Sequence, residues 1–258
     1  MHGARVCDHL PRELVVLAER FSPMPEREPN EFDRSKFENP SLTVDVVVFS
    51  MREFQLQLLV IKRGIPPFKG RFALPGGFVL PRETVEEAAA RELEEETGLA
   101  GLYLEQLYTF SEPERDPRGR VVSVAHLALL PADRIDTVRG GSDAREASWV
   151  AVSEAESRGV DGKKFLAFDH DRIVSTALAR LRGKLEYTTL AFQLLPQEFT
   201  LSEAQRVYES ILGRPLDKVT FRRRIAATEL VRETPRMRRG AHRPARLYVA
   251  AQRDSIFL

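Results

Sequence analysis

Residues Gly77 to Leu99 read GFVLPRETVEEAAARELEEETGL, and they crowd carboxylates onto the wrong end of a helix. Thr84 with Glu87 makes a capping box, Pro81 stands just before it and Gly98 is a C-terminal stop, so both ends of the helix are marked. Ala88, Ala89, Ala90 and Leu93 favour the helix intrinsically. Glu86 and Glu87 suit the positive end of its dipole, but Glu92, Glu94, Glu95 and Glu96 fall in the last turns. Each negative charge there costs on the order of 0.3–1 kcal/mol. Glu92 and Glu96 also repel across four residues, and Arg91 can answer Glu87 or Glu95 but not every carboxylate. Glu92, Glu95 and Glu96 share one face. Such a face is either solvated acidic surface or a seat for a hard cation, Mg²⁺ or Mn²⁺, that keeps its waters and grips a phosphate.

The spacing decides between these. Gly77, Glu83, Arg91, Glu92, Leu93, Glu95, Glu96, Gly98 and Leu99 fill every specified position of G-x5-E-x7-R-E-U-x-E-E-x-G-U, where U is aliphatic. At ordinary residue frequencies a chance match is roughly one in a hundred million per starting position. The segment resembles the Nudix box. The resemblance implies an α/β Nudix fold, a mixed sheet between helices, for the surrounding hundred-odd residues. It also implies that Glu92, Glu95 and Glu96 hold metal, that the backbone carbonyl near Gly76 adds a ligand, and that Glu83 and Arg91 pair to fix the loop against the helix.

The 258 residues leave room for a second domain of modest size, and 43% hydrophobic content is ample for two cores. The single cysteine, Cys7, excludes an intrachain disulfide and fits a reducing cytoplasm. No apolar run reaches transmembrane length, so no membrane is expected, and the N-terminus lacks a signal-peptide core. Charge is unevenly divided. From Arg214 to Leu258 there are 12 Lys and Arg against 4 Asp and Glu, although the whole chain carries only +1. A basic tail on an acidic body points to an anionic partner, nucleic acid or a membrane surface.

Residues 1–41 read as an N-terminal arm with a short helix over 9–21, and 42–152 as the Nudix domain. Within it, 44–50, 55–62, 102–109, 121–130 and 147–152 read as strands and 63–77 as a loop. Residues 153–187 read as a linker and connecting helix, with Ile173, Leu178, Leu181 and Leu185 on one side. The loop at 115–120 holds Arg115, Arg118 and Arg120, whose forks suit phosphates and which, with Arg71, are candidate ligand contacts. The same loop reads equally as a solvated Asp-Pro turn, and Lys62 and Arg63 share that ambiguity. No zinc spacing and no Ser-His-Asp arrangement can be read.

Residues 188–258 read as a winged helix. Thr200 and Glu203 make a second capping box, opening a helix through Leu212 that Gly213 and Pro215 end. Asp217 caps the next helix, on which Val219, Phe221 and Ile225 supply an apolar face and Lys218, Thr220, Arg222, Arg223 and Arg224 decorate the rest. A helix, a short turn and a basic helix is the plan in which the second helix enters the major groove. A hairpin over 229–251 supplies the wing, with Arg236, Arg238, Arg239, Arg243 and Arg246 as phosphate or minor-groove contacts.

A Nudix domain followed by a basic winged helix is similar to the NrtR family, the Nudix-related transcriptional regulators of NAD metabolism. The likeness runs over about 42–250 and includes RDPRGRVVSVAHLAL, LAFDHDRI at 166–173 and FTLSEAQRVYESILGRPLDKVTFRRRI at 199–225. It implies a homodimer that binds double-stranded DNA, with ADP-ribose or a related NAD metabolite bound by the Nudix domain and releasing that DNA. Many members have a degraded box and only sense; here the box is intact, so Mg²⁺-dependent pyrophosphohydrolase activity of the ADP-ribose pyrophosphatase type is the alternative. Glu112 and Glu114, beside the arginine loop, are candidate bases for it.

Overall fold

The computed structural model describes residues 39–138, 146–158, 164–185, 188–227, 230–239 and 244–251. The expected helix over 9–21, Cys7 and Arg243 lie outside the described residues.

The run VDVVVFS is apolar on both faces, the pattern of a strand buried on both sides. It forms the core of β1 (Ser41–Arg52), the middle of a seven-stranded sheet. β2 (Gln55–Lys62) returns antiparallel beside it, and two short strands follow, β3 (Phe72–Ala73) and β4 (Gly76–Phe78). Residues 63–77 are therefore not wholly loop: β4 pairs with β1 at Thr43–Asp45 and β3 with β2 at Ile61–Lys62. α1 (Val85–Thr97) has both halves of the Thr84–Glu87 capping box and ends at Gly98 in the left-handed conformation. β5 (Tyr103–Phe110) and β6 (Val121–Leu129) follow, β6 lying parallel to β1 and β5 antiparallel to β6. β7 (Ala147–Ala151) closes the far edge of β2 and leads into α2 (Val152–Arg158).

Alternation along β1 divides two cores. Val44, Val46 and Val48 meet Ala88, Ala89 and Leu93 of α1, whereas Val47, Phe49 and Met51 face the opposite layer. That layer is α3 (His170–Lys184), which buries Ile173, Val174, Ala177, Leu178 and Leu181. The isoleucine and the two leucines each contribute about 1.5–3 kcal/mol by their burial. The stretch expected to link the domains is therefore itself a layer of the sandwich.

The same core continues through Leu190, Phe192 and Phe199 to α4 (Leu201–Leu212), which buries Val207 and Ile211. α4 opens on the Thr200–Glu203 capping box and ends at left-handed Gly213. α5 (Lys218–Ala227) starts where the Thr220 amide donates to Asp217 Oδ1 at 2.8 Å. β8 (Val231–Arg238) and β9 (Ala245–Ala250) form the hairpin, and Phe199 bridges antiparallel to Tyr248. Phe221 and Ile225 are buried, but Val219 is 72% exposed, so it does not belong to the apolar face on which its sequence placed it.

Candidate functional site

The end of α1 and the β4 turn meet at one mouth of the sheet. Gly76 and Gly77 permit this approach: a Cβ on Gly76 would stand 2.1 Å from the Val44 carbonyl, and one on Gly77 would stand 2.2 Å from Glu92 Oε1. The Gly76 amide donates to Glu96 Oε2 at 2.9 Å. Arg91 fastens the loop to the helix. Its Nη2 and Nε donate to the two carboxylate oxygens of Glu83 at 2.7 and 3.0 Å, and its Nη1 donates to Glu92 at 2.8 Å and Glu95 at 3.2 Å. Glu87 is taken by the cap, so Arg91 answers Glu83, Glu92 and Glu95 instead.

Glu92, Glu96 and Gly76 line a cleft of about 370 Å³, joined there by Asp45. Burial and the neighbouring charge of Glu92 push the Glu96 carboxyl up to about 8, despite the Gly76 amide. Two hard carboxylates, one of them destabilised by burial and repulsion, fit a divalent cation. Glu95 does not line this cleft; it is exposed and turned to Arg91. Among the described residues no three His, Cys, Asp or Glu side chains are gathered for a metal, so the trio Glu92, Glu95 and Glu96 is not assembled.

Sequence reading missed the centre of the cleft. Asp45 is the charged exception in the β1 apolar run, and it is buried. Its Oδ2 accepts from Arg115 Nη2 at 3.2 Å and Ser123 Oγ at 2.5 Å. Its Oδ1 lies 3.2 Å from His170 Nε2. His170 Nδ1 accepts the Leu74 amide at 2.9 Å, so Nε2 carries the proton and donates to Asp45. Burial alone would raise the Asp45 carboxyl, but His170, Arg115 and Ser123 together hold it well below the usual carboxylate range. Arg115 also clamps Asp169 at 2.7 and 3.1 Å. Its side chain, only 4% exposed, is spent on these two aspartates, which makes it a brace between the arginine loop and the start of α3 rather than a free phosphate fork.

The opposite wall is cationic. Arg118 lines the cleft, held by Asp116 at 2.6 Å, with its guanidinium 5.2 Å from the Phe78 ring and 5.5 Å from Phe168. The Arg63 guanidinium stands 4.8 Å from the centre of the same Phe168 ring, and burial together with Arg118 lowers its affinity for its own proton. Phe168, with φ of 54°, packs edge-on against Phe68. Arg71 and Arg120 lie elsewhere. Arg71 donates to the carbonyls of Lys164 and Leu166, and Arg120 donates to that of Ser111 at 2.8 Å. Neither lines the cleft, nor do Glu112, paired with Arg172 at 2.9 Å, and Glu114. The only sequence signal for Phe168, Asp169 and His170 was the LAFDHDRI segment, which carried no assigned role.

The C-terminal basic residues fall into two groups. Lys218, Val219, Thr220, Arg222 and Arg223 are exposed on the start and outer side of α5. Arg224 is turned toward Tyr208 and a second cavity of about 290 Å³ between α4 and α5. On the wing, Arg236 pairs with Glu198 at 3.1 Å, Arg238 with Glu203 and Arg246 with Glu233, while Arg239 is exposed. Among the described residues no helix is long and apolar enough to cross a membrane.

Residues 41–172 match the NUDIX domain family, and 191–250 match the NrtR DNA-binding winged helix domain. A relative from Acinetobacter baylyi, the ADPR responsive transcriptional repressor NtrR, is 39% identical over 229 residues, covering 88% of each chain. The crystal structure of Shewanella oneidensis NrtR complexed with a 27mer DNA is 35% identical, with a TM-score of 0.70 over 81% of this chain and 93% of that one. The NUDIX domain of that protein, in complex with ADP ribose, is 31% identical, with a TM-score of 0.50 over 58% of this chain and 94% of that one.

Proposed function

The chain belongs to the NrtR family, and on that footing we propose that it is a DNA-binding transcriptional regulator whose Nudix cleft senses ADP-ribose or a related NAD metabolite. One observation carries the reading: α3 touches both ends of the molecule. Its first residue, His170, stands in the cleft, and near its other end Arg182 Nε donates to the Ile211 carbonyl of α4 at 2.8 Å. A ligand in the cleft therefore meets the same rigid element that supports the winged helix.

The cleft suits a dinucleotide diphosphate. Arg63 and Arg118 form a cationic wall for the phosphates, and the exposed side chains of Phe78, Leu80 and Ile65 give an apolar rim for a base. The facing acidic wall of Glu92 and Glu96 would hold Mg²⁺ or Mn²⁺, with the Gly76 carbonyl, and Glu95 would join them if it left Arg91. When bound, the metal would neutralise phosphate oxygens and lower the pKa of a coordinated water. Ligand releases DNA only if it binds more tightly to the arrangement that does not fit DNA. A homodimer would match a two-fold operator, as helix-turn-helix geometry requires.

Fluorescence anisotropy on a labelled duplex from the upstream region of the protein's own gene tests this. Binding that weakens with salt and with ADP-ribose supports it; binding no tighter than to random DNA refutes it. The intact box favours a second, compatible reading, Mg²⁺-dependent pyrophosphohydrolysis. That reading expects AMP to appear as ADP-ribose is consumed and Glu96→Gln to abolish it.

A further inference from the structure

The outer face of α5 is not uniformly basic. The buried pair Phe221 and Ile225 fixes the rotation of the helix, and a 3.6-residue repeat then places Val219, Arg223 and Ala226 in one outward row. Val219 is 72% exposed, the most exposed of the large apolar side chains among the described residues. A branched apolar side chain gains nothing from water at that place. Ala226, also exposed, keeps the far end of the row low, so the helix can approach a partner closely there. Lys218, Arg222 and Arg223, all exposed, surround the valine with positive charge. An apolar knob inside a cationic frame does not suit a protein core or a bare phosphate.

We infer that Val219 is a specificity-determining residue that packs against the 5-methyl group of a thymine in the major groove. The inference rests on the reading of this domain as a DNA-binding unit. The first turn of a recognition helix reaches base edges, and the thymine methyl is the only apolar group the major groove offers. Arg223, one turn on, lies about 6 Å further along the axis, under two base steps of 3.4 Å. An arginine there takes guanine O6 and N7. The two side chains together read a thymine within two base steps of a guanine, the methyl supplying information that the arginines cannot.

Full-length protein selects its preferred duplexes from a randomised pool, and each thymine of the winner is then replaced singly by deoxyuridine, which deletes only the methyl. Wild type loses about fourfold in affinity at one thymine near a guanine, the worth of one buried methyl. Val219→Ala binds the thymine duplex weaker by a similar factor and no longer distinguishes thymine from deoxyuridine there. Alanine favours an exposed helical site, so the variant folds, and an unchanged melting temperature checks this. A wild type indifferent to every deoxyuridine overturns the inference while DNA binding stands. So does a Val219→Ala protein that keeps the full methyl penalty. If no duplex is enriched, the DNA-binding reading itself fails and takes this inference with it.

Discussion

Arg115→Met keeps the aliphatic stem of a buried arginine and deletes its charge. The side chain is 4% exposed and bridges Asp45, 10% exposed, to Asp169, 15% exposed, at 3.2 and 2.7 Å. Without it the two aspartates lose their shared counter-charge, and Asp45 keeps only Ser123 and His170. Removing one partner of a buried ion pair costs about 3–5 kcal/mol. At about 2–4 °C per kcal/mol for a unit of this size, the melting temperature falls by roughly 10 °C. Scanning calorimetry across pH supplies the sign. Because the Asp45 carboxyl is held low in the fold, the stabilisation it represents is complete above its unfolded pKa of about 3.9 and is lost as pH falls toward the folded value. The gap between wild type and variant is therefore widest at neutral pH and narrows below about pH 4. Adding Asp45→Asn restores part of the loss, since the stranded charge disappears with it. A fall of less than about 2 °C, or a gap that stays constant down to pH 3, would show that this network does not brace the fold.

Arg118→Ala is read by binding: calorimetric titration shows ADP-ribose bound about ten- to a hundredfold more weakly, the loss of one charge-assisted contact, while the stranded Asp116 carboxylate, 3% exposed, also lowers the melting temperature. Gly77→Ala, whose Cβ would meet Glu92 at 2.2 Å, displaces that carboxylate, and Mn²⁺ affinity followed by electron paramagnetic resonance falls at least tenfold. Arg223→Ala weakens the selected duplex about tenfold and makes the dependence of binding on salt shallower by about one unit if the side chain touches phosphate, or relaxes one guanine position if it reads a base.

Elements whose signals are local could be read in advance. Both capping boxes, Thr84–Glu87 and Thr200–Glu203, stand where the sequence placed them, because a cap depends on residues three apart. The box residues from Gly77 to Gly98 are legible for the same reason. The cleft is different, since Arg63, Asp45, Arg118 and His170 come from the segment after β2, from β1, from a loop and from α3, and converge only through the order of the strands. Arg115 and Arg118 look alike in the sequence, and burial alone makes one a brace and the other a candidate contact. The phase of α5 was misjudged at Val219 because a ten-residue helix offers few apolar positions from which to fix its rotation. The carboxylates opposing Arg236 and Arg238 lie 38 and 35 residues away and left no mark on the basic run.

α3 has a mechanical meaning beyond its packing. Fifteen helical residues make a rod about 22 Å long. At one tip stands His170, hydrogen-bonded to the β3–β4 turn; toward the other, Arg180 and Lys184 reach Leu107 and Glu105 of β5 at 2.9 and 2.6 Å. With Arg182 tied to the Ile211 carbonyl of α4 at 2.8 Å and its inner face buried from Ile173 to Leu181, the rod joins the wall of the cleft to the first helix of the DNA-binding domain without a hinge between them.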